Sequence, residues 1–162
     1  VHSLSKLLML FNNISVQLVS PKDLAMPKNI VEEMRSKGLS VIESEKIESS
    51  ISHVDIVYST RIQEERFTSK DEADLYRGKF RLNQAIYTAH CEPNTVIMHP
   101  LPRDSREEAN ELDIDLDGNP SLAIFRQTDN GLLVRMALFA MTLDVVHLVE
   151  KNSSDVPWHN LR

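Results

Sequence analysis

Two short stretches of this sequence place side chains that could recognise a small anion directly after apolar runs. The first is Arg61-Ile62-Gln63, which follows "VDIVYST". In an extended segment, residues two apart point to the same side, so Arg61 and Gln63 could act together. A guanidinium offers two parallel donors to a carboxylate, and an amide both donates and accepts. The pair could therefore bind an amino acid, or it could belong to a solvated loop with local ion pairs.

The second stretch is "HPLPR", from His99 to Arg103, which ends the apolar run "TVIM". Proline has no backbone N–H and fixes φ, so the carbonyls of Pro100 and Leu101 could face outward as rigid acceptors. A cis peptide bond before either proline is uncommon but possible. The same residues also fit a simple tight turn between a strand and a helix, and the pattern alone leaves both interpretations open.

Other kinds of site find little support. The net charge of −6 without a basic stripe argues against a nucleic-acid partner. Cys91 is the only cysteine, so the chain has no intrachain disulfide and no thiolate metal cage, which suits a reducing cytosol. The four glycines form neither a Gly-x-Gly-x-x-Gly motif nor a P-loop. We therefore predict neither a metal nor a cofactor.

Apolar periodicity alternates between strand and helix along the chain, which is typical of an α/β fold. Strands are predicted at 15–20, 39–44, 54–60 and 95–100, and helices at 2–11, 26–38, 45–52, 83–90 and 120–149, the last with a possible break at Asn130-Gly131. We expect a Rossmann-like doubly wound parallel sheet flanked by helices in three layers. Such a sheet normally opens with a strand, so we expect its opening strand to lie upstream of Val1.

We predict one domain over residues 1–150 and a C-terminal extension over 151–162. The most apolar stretch, 131–149, carries Arg135, Asp144 and His147, which a membrane span tolerates poorly. A buried helix is the better interpretation, and because 132–146 is apolar nearly all round, it should need cover on more than one side. The carboxyl ends of parallel strands meet at one rim of a sheet, so the two polar stretches should lie together there.

Several stretches resemble the aspartate carbamoyltransferase family. "VDIVYSTRIQEERF" is similar to its Asp-(Ile/Val)-(Leu/Val)-Tyr-x-Thr-Arg-(Ile/Val/Leu)-Gln-x-Glu-Arg segment, and "MHPLPR" to its His-Pro-(Leu/Met)-Pro-Arg motif. "VHSLSKLLMLF", "LAMPKNIVEEM" and "IFRQTDNGLLVRMALFAMTL" resemble helices of the family's second domain. The resemblance covers about residues 1–143, with the motifs in the expected order.

The resemblance implies the aspartate-binding domain of a cytoplasmic, homotrimeric enzyme of pyrimidine synthesis that transfers the carbamoyl group of carbamoyl phosphate to L-aspartate. It implies that Arg61 and Gln63 bind aspartate. The carbonyls of Pro100 and Leu101 would accept hydrogen bonds from the carbamoyl NH₂ and the attacking amine. The Leu101–Pro102 peptide bond would be cis.

The resemblance also assigns supporting roles. Glu65 and Arg66 would form ion pairs when two domains close, within a mobile loop over 62–80 that covers the substrate. His99, Pro102 and Arg103 would support the loop that carries the Pro100 and Leu101 carbonyls. The family's phosphate loop and its upstream Gly-Arg-Thr segment do not occur in these residues, so we expect the 162-residue chain alone to be inactive.

Two alternatives compete with this interpretation. In an ornithine carbamoyltransferase the corresponding motif reads His-Cys-Leu-Pro, whereas this chain has Pro100 in place of the cysteine. Arg61 would also repel a cationic substrate side chain. A non-catalytic carbamoyltransferase-like binding or assembly module is the second alternative, and the sequence leaves it open.

Overall fold

The structure is a computed structural model that describes residues 1–62, 74, 76, 78–104, 106, 109–149 and 151. The chain divides into two compact units, Val1–Ile124 and Phe125–Arg162. The predicted boundary at residue 150 stays a prediction.

Helices and strands alternate along the first unit, as expected. Its elements are α1 (His2–Leu8), β1 (Ser15–Val19), α2 (Lys28–Ser36), β2 (Ser40–Ser44), α3 (Ile47–Ser50), β3 (Ile56–Tyr58), α4 (Gln84–His90) and β4 (Val96–Met98), with 3₁₀ turns at Lys22–Leu24 and Ile114–Leu116. Helix α5 (Ile124–Thr142) starts at the last residue of this unit, and α6 (Val146–Val149) follows it. The α/β class with parallel strands is confirmed.

The described strands form two parallel pairs instead of the single continuous sheet that we expected. Strand β1 pairs with β2 from Ser15↔Ser40 to Val19↔Ser44, and β3 pairs with β4 from Ile56↔Val96 to Tyr58↔Met98. Within the described ranges, β1 and β3 each have a neighbouring strand on one edge only.

Helix α2 lies within the predicted range of 26–38, and each of its ends is two residues inside that range. Pro27 is its N-cap, a place where the missing N–H of proline costs nothing. Gly38 has a φ of 88°, and the Leu39 N–H donates to the Met34 carbonyl at 3.1 Å. This bond and the left-handed glycine form a Schellman motif, which satisfies carbonyls at the helix end.

Helix α5 does not break at Asn130-Gly131, so that expectation is wrong. A single glycine inside a helix costs only about 1 kcal/mol relative to alanine, which the helix formers around Gly131 offset. The helix ends instead near Asp144, where φ is 56° and the Val145 N–H donates to the Ala140 carbonyl at 2.9 Å. No helix among the described residues is long and apolar enough to cross a membrane.

The larger of two hydrophobic clusters surrounds β4. It contains Ile51, Leu82, Tyr87, Ile97, Leu112, Leu116, Leu122 and Ile124, whereas the smaller one contains Ile30, Met34 and Leu39. Ile97, at the centre of β4, is fully buried. Its N–H donates to the Ser121 carbonyl at 2.9 Å, and its carbonyl accepts from the Ala123 N–H at 2.8 Å. Backbone bonds therefore hold β4 on both edges and fix the position from which "HPLPR" leaves the strand.

The second unit presents its apolar side chains to the outside. Along α5, side chains such as Val134, Met136, Leu138, Phe139 and Met141 are all more than half exposed, between 57% and 68%. The expectation of an apolar helix that needs cover is confirmed, whereas burial of this helix is not found in the chain. An apolar surface of this extent is typical of an interaction site.

Candidate functional site

The site lies where β3 and β4 end. Tyr58 and Met98 are register partners, and the Ser59 N–H donates to the Met98 carbonyl at 2.9 Å. Neighbouring strands lie about 4.8 Å apart, so the residues that follow these two strands leave the same rim side by side. The prediction that Arg61 and "HPLPR" share one rim is confirmed.

Arg61 is exposed at this rim, and its positive charge influences the pKa of Asp104 in the neighbouring loop. The pKa of Asp104 is lowered to about 2, mainly by a side-chain hydrogen bond from Arg106, and the positive charge of Arg61 contributes to the shift. Coulomb energies fall with distance, so this contribution indicates that the guanidinium and the loop are near each other. Gln63, Glu65 and Arg66 lie outside the described residues, and their roles stay predictions.

The loop of residues 99–104, called the acceptor loop because it carries the two proposed acceptor carbonyls, has an unusual backbone. Leu101 has a φ of 55°, in the left-handed region, and the Leu101–Pro102 bond is cis, as the resemblance implied. For a residue other than glycine the left-handed conformation costs about 1–2 kcal/mol, so surrounding contacts must hold it. The Leu101 side chain packs against the larger core cluster, while Pro100 and Pro102 are exposed.

A histidine and a glutamate beneath this loop supply those contacts. His99 is 1% exposed and Glu111 is 3% exposed. The His99 Nδ1 accepts a hydrogen bond from the Leu101 N–H at 2.8 Å, and the His99 Nε2 lies 2.7 Å from the Glu111 Oε1. The Glu111 carboxylate also accepts from the Asp104 N–H at 3.3 and 3.4 Å. One carboxylate is therefore connected to both sides of the loop.

The backbone of Glu111 is itself fixed by the core. The Leu82 N–H donates to the Glu111 carbonyl at 2.8 Å, and the Asp113 N–H donates to the Leu82 carbonyl at 2.9 Å. Leu82 is fully buried in the larger cluster. These two bonds form a short parallel bridge, so the core fixes the backbone position from which the Glu111 side chain reaches the loop.

Arg103 is paired with a different acidic residue, Asp117. Its two guanidinium nitrogens donate to the two carboxylate oxygens of Asp117 at 2.7 and 3.3 Å. A two-point contact of this kind fixes orientation as well as charge. The contact is compatible with the supporting role assigned to Arg103, which stays a prediction.

In the described part of the chain, no donor is bonded to the carbonyl oxygen of Pro100 or Leu101. These are the two acceptors that the sequence analysis singled out. His99 and Glu111 hold the loop from its buried side, and Arg61 follows β3 at the same rim. The arrangement combines backbone acceptors with a cation that can bind a carboxylate.

Sequence reasoning missed Glu111. The acidic segment after it is only partly solvated, since Asp113 is 8% exposed and paired with Arg81, whereas Asp115 and Asp117 are exposed. Asp115 accepts from the Gln84 N–H at 3.1 Å, at the start of α4. The signal was present in "ELDIDLD", where leucines alternate with acids, a pattern that indicates packing more than free solvation.

Comparison with known proteins agrees with these observations. The sequence model described as the Asp/Orn-binding domain of aspartate/ornithine carbamoyltransferase matches residues 1–142. The aspartate carbamoyltransferase catalytic subunit of Cellvibrio japonicus is 69% identical over 158 residues, which are 98% of this chain and 47% of that protein. The chain thus spans about half the length of the relatives that it matches.

Solved structures give the same result. The catalytic subunit of M. jannaschii aspartate transcarbamoylase superposes with a TM-score of 0.75 at 34% identity, covering 93% of this chain and 46% of that one. Aspartate transcarbamoylase from Trypanosoma cruzi, solved in complex with aspartate and phosphate, has a TM-score of 0.70 at 30% identity, covering 85% of this chain and 41% of that one.

Proposed function

Because this chain belongs to the aspartate/ornithine carbamoyltransferase family, whose Asp/Orn-binding domain it matches over residues 1–142, we propose that it is the aspartate-binding half of an aspartate carbamoyltransferase. The parent enzyme transfers a carbamoyl group from carbamoyl phosphate to L-aspartate and releases N-carbamoyl-L-aspartate and phosphate. Since the chain spans 47% of its C. japonicus relative, turnover requires the other half. The 162 residues alone are inactive.

Arg61 binds a carboxylate of aspartate. The observation that supports this most strongly is the register of β3 and β4, which brings Arg61 to the same rim as residues 99–103. A guanidinium fits a carboxylate through two parallel hydrogen bonds. Gln63 assists in binding the amino acid, and Glu65 and Arg66 form ion pairs when the loop over 62–80 closes.

The carbonyls of Pro100 and Leu101 orient the reacting groups. In the reaction the aspartate amine attacks the carbamoyl carbon, a C–N bond forms, the C–O bond to phosphate breaks, and the departing phosphate takes up the proton that the amine loses. Acceptors that hold the amine and the carbamoyl NH₂ place these groups at reacting distance, which removes much of the entropic barrier. Both carbonyls belong to a loop whose backbone is held from below by His99.

The likeness to known enzymes supports the wider setting. The T. cruzi enzyme was solved with aspartate and phosphate, which are a substrate and a product of the proposed reaction. We include in the proposal a cytoplasmic homotrimer that acts in pyrimidine synthesis without a cofactor. Each of these properties belongs to the full-length enzyme.

The test is a chimera in which this chain replaces the segment of the C. japonicus catalytic subunit to which it aligns. We expect the chimera to form N-carbamoyl-L-aspartate, and the 162-residue chain alone to form none. In the chimera, Arg61→Ala removes a charged partner of the substrate. Transition-state stabilisation should fall by about 2–5 kcal/mol, so kcat/KM for aspartate should fall roughly 30-fold or more. Arg35→Ala is the matched control and should leave kcat/KM unchanged. Arg35 is an exposed arginine outside the site, and its guanidinium lies 3.4 Å from the Glu43 carboxylate.

Three outcomes would contradict the proposal. A folded chimera that binds aspartate without turnover would favour a binding module. Turnover of ornithine in place of aspartate would show that the amino-acid substrate is ornithine. Carbamoylaspartate formation by the 162-residue chain alone would show that the other half of the enzyme is not needed.

A further inference from the structure

The family resemblance gives His99 a supporting role and Glu111 none, and the place of this buried pair in the fold suggests what the two residues do together. An acidic side chain that is 3% exposed is costly unless partners compensate the lost hydration. Both partners of Glu111 belong to the acceptor loop, because its carboxylate contacts the ring of His99 and the Asp104 N–H. The carboxylate is therefore directed at the loop and at nothing else that the structure describes.

The hydrogen-bond pattern fixes the tautomer of His99. Its Nδ1 accepts from the Leu101 N–H at 2.8 Å, so this nitrogen carries no proton. The ring proton is then on Nε2, which lies 2.7 Å from the Glu111 Oε1 without the alignment of a hydrogen bond, so the contact is electrostatic. A carboxylate at Nε2 stabilises this tautomer, in the way that a partner on one ring nitrogen commonly sets the state of the other. Glu111 thereby keeps Nδ1 available as an acceptor for Leu101.

The same chain of contacts explains how Leu101 stays in its unfavourable conformation. Its φ of 55° lies in a region that leucine rarely adopts, and the Leu101 N–H is held by His99. On the far side of the loop, the Asp104 N–H is held by Glu111. The core anchors Glu111 through the Leu82 N–H.

We propose that Glu111 and His99 are positioning residues that hold the Leu101 carbonyl where it orients the attacking amine. The proposal rests on the proposed function, since it concerns the same reaction. Aspartate binds through Arg61, which is exposed at the rim, whereas His99 and Glu111 are buried beneath the loop, so loss of positioning reduces kcat and leaves the KM for aspartate nearly unchanged. Misplacing a reacting group by about 1 Å can reduce the rate on the order of 100-fold.

Glu111→Gln tests the proposal in the full-length enzyme that carries this chain as its C-terminal half. The substitution keeps the shape of the side chain but removes the charge that fixes the His99 tautomer. We expect kcat to fall by about 10- to 100-fold, with the KM for aspartate within about threefold of the original. Asp113→Asn is the matched control, because Asp113 is a buried acid two residues away that pairs with Arg81 instead of the loop. It should lower the urea midpoint without lowering kcat.

Two substitutions of His99 separate its two contacts. In His99→Asn the side-chain oxygen stands near the position of Nδ1 and can still accept from Leu101, whereas it cannot reach Glu111. In His99→Gln the side chain reaches toward Glu111 and offers no acceptor near Leu101. We expect His99→Gln to lose more of kcat than His99→Asn, and Glu111→Gln to cost less in the His99→Gln background than it does alone.

A readout independent of turnover comes from ¹⁵N chemical shifts of the His99 ring in the 162-residue chain. We expect a protonated Nε2 and an unprotonated Nδ1, and a loss of this preference in Glu111→Gln. A proton on Nδ1 in the original chain would overturn the proposal, as would an active enzyme in which Glu111→Gln retains full kcat. If the original full-length enzyme forms no carbamoylaspartate, the proposed function fails, and the ring shifts still decide whether Glu111 controls His99.

Discussion

The loop of residues 99–104 and helix α5 carry the strongest sequence signals, yet their structures are determined in opposite ways. The loop has an unfavourable backbone at Leu101, and buried partners in the same unit, His99 and Glu111, hold it. Helix α5 has an ordinary backbone, but its apolar side chains, such as Met136 and Leu138, are 59% and 57% exposed. The loop is completed by contacts within the chain, whereas the sequence of α5 is suited to contacts that the described chain does not provide.

The largest expected effect compares alanine substitutions in the two regions. Ile97 is fully buried on β4 directly before the loop, so Ile97→Ala should lower the free energy of unfolding by about 2–5 kcal/mol. Leu138→Ala in α5 removes a side chain that is already exposed and should change it by less than about 0.5 kcal/mol. Urea unfolding of the 162-residue chain, followed by far-ultraviolet circular dichroism, measures both. Equal losses would mean that α5 is packed as tightly as β4, which would contradict the difference between the two regions.

A second prediction concerns the exposed surface of α5. Leu138 and Met141 are 57% and 67% exposed on an extensive apolar surface, which favours self-association of the isolated chain. The double substitution Leu138→Lys with Met141→Lys should lower the weight-average mass in sedimentation equilibrium at high protein concentration, with the urea midpoint almost unchanged. Ile114→Lys is the control, because Ile114 is 72% exposed in the other unit and single exposed apolar residues are normal. If Ile114→Lys reduces association equally, net charge and not the α5 surface is responsible.

The elements that could be predicted from the sequence are those set by local patterns. Apolar periodicity located β4 and α2, and the chemistry of Pro27 and Gly38 located the ends of α2. Parallel topology then placed Arg61 and "HPLPR" at one rim, since that conclusion needs only the order of strands and not their detailed packing. The cis bond at Leu101–Pro102 followed from the family resemblance, because the residues alone gave only the low frequency typical of such bonds.

What could not be predicted depends on contacts between distant residues. The burial of Glu111 is set by its backbone bond with Leu82, a pairing that no local period shows. In the same way, the end of α5 at Thr142 depends on a left-handed residue, Asp144, that is not glycine, whereas the local pattern favours a break at Gly131. The role of Gln63, Glu65 and Arg66 stays a prediction, since they lie outside the described residues.

The smallest effect compares the buried contact of the loop with its surface contact. Asp104 accepts from the Arg106 Nε at 3.0 Å, and this hydrogen bond is the main reason that the pKa of Asp104 is lowered to about 2. A carboxyl whose folded pKa lies below its unfolded value of about 3.9 stabilises the fold above that value, and the contribution disappears as the pH falls toward 2. Asp104→Asn should therefore lower the free energy of unfolding by about 0.2–1 kcal/mol at pH 6, as is usual for ion pairs with an exposed partner, here Arg106, whose side chain is 46% exposed.

The difference between Asp104→Asn and the original chain should shrink as the pH falls from about 4.5 toward 2, because the unfolded carboxyl takes up its proton near pH 3.9 and the folded carboxyl only near pH 2. Urea midpoints at several pH values measure it, and a constant difference across this range would contradict the assignment. In the full-length enzyme, Asp104→Asn should leave kcat much closer to the original than Glu111→Gln does, since the Asp104 N–H, and not its carboxylate, is the group that Glu111 holds. A large loss of kcat in Asp104→Asn would instead mean that the surface pair with Arg106 also positions the loop, which would place the control of Leu101 outside the buried pair.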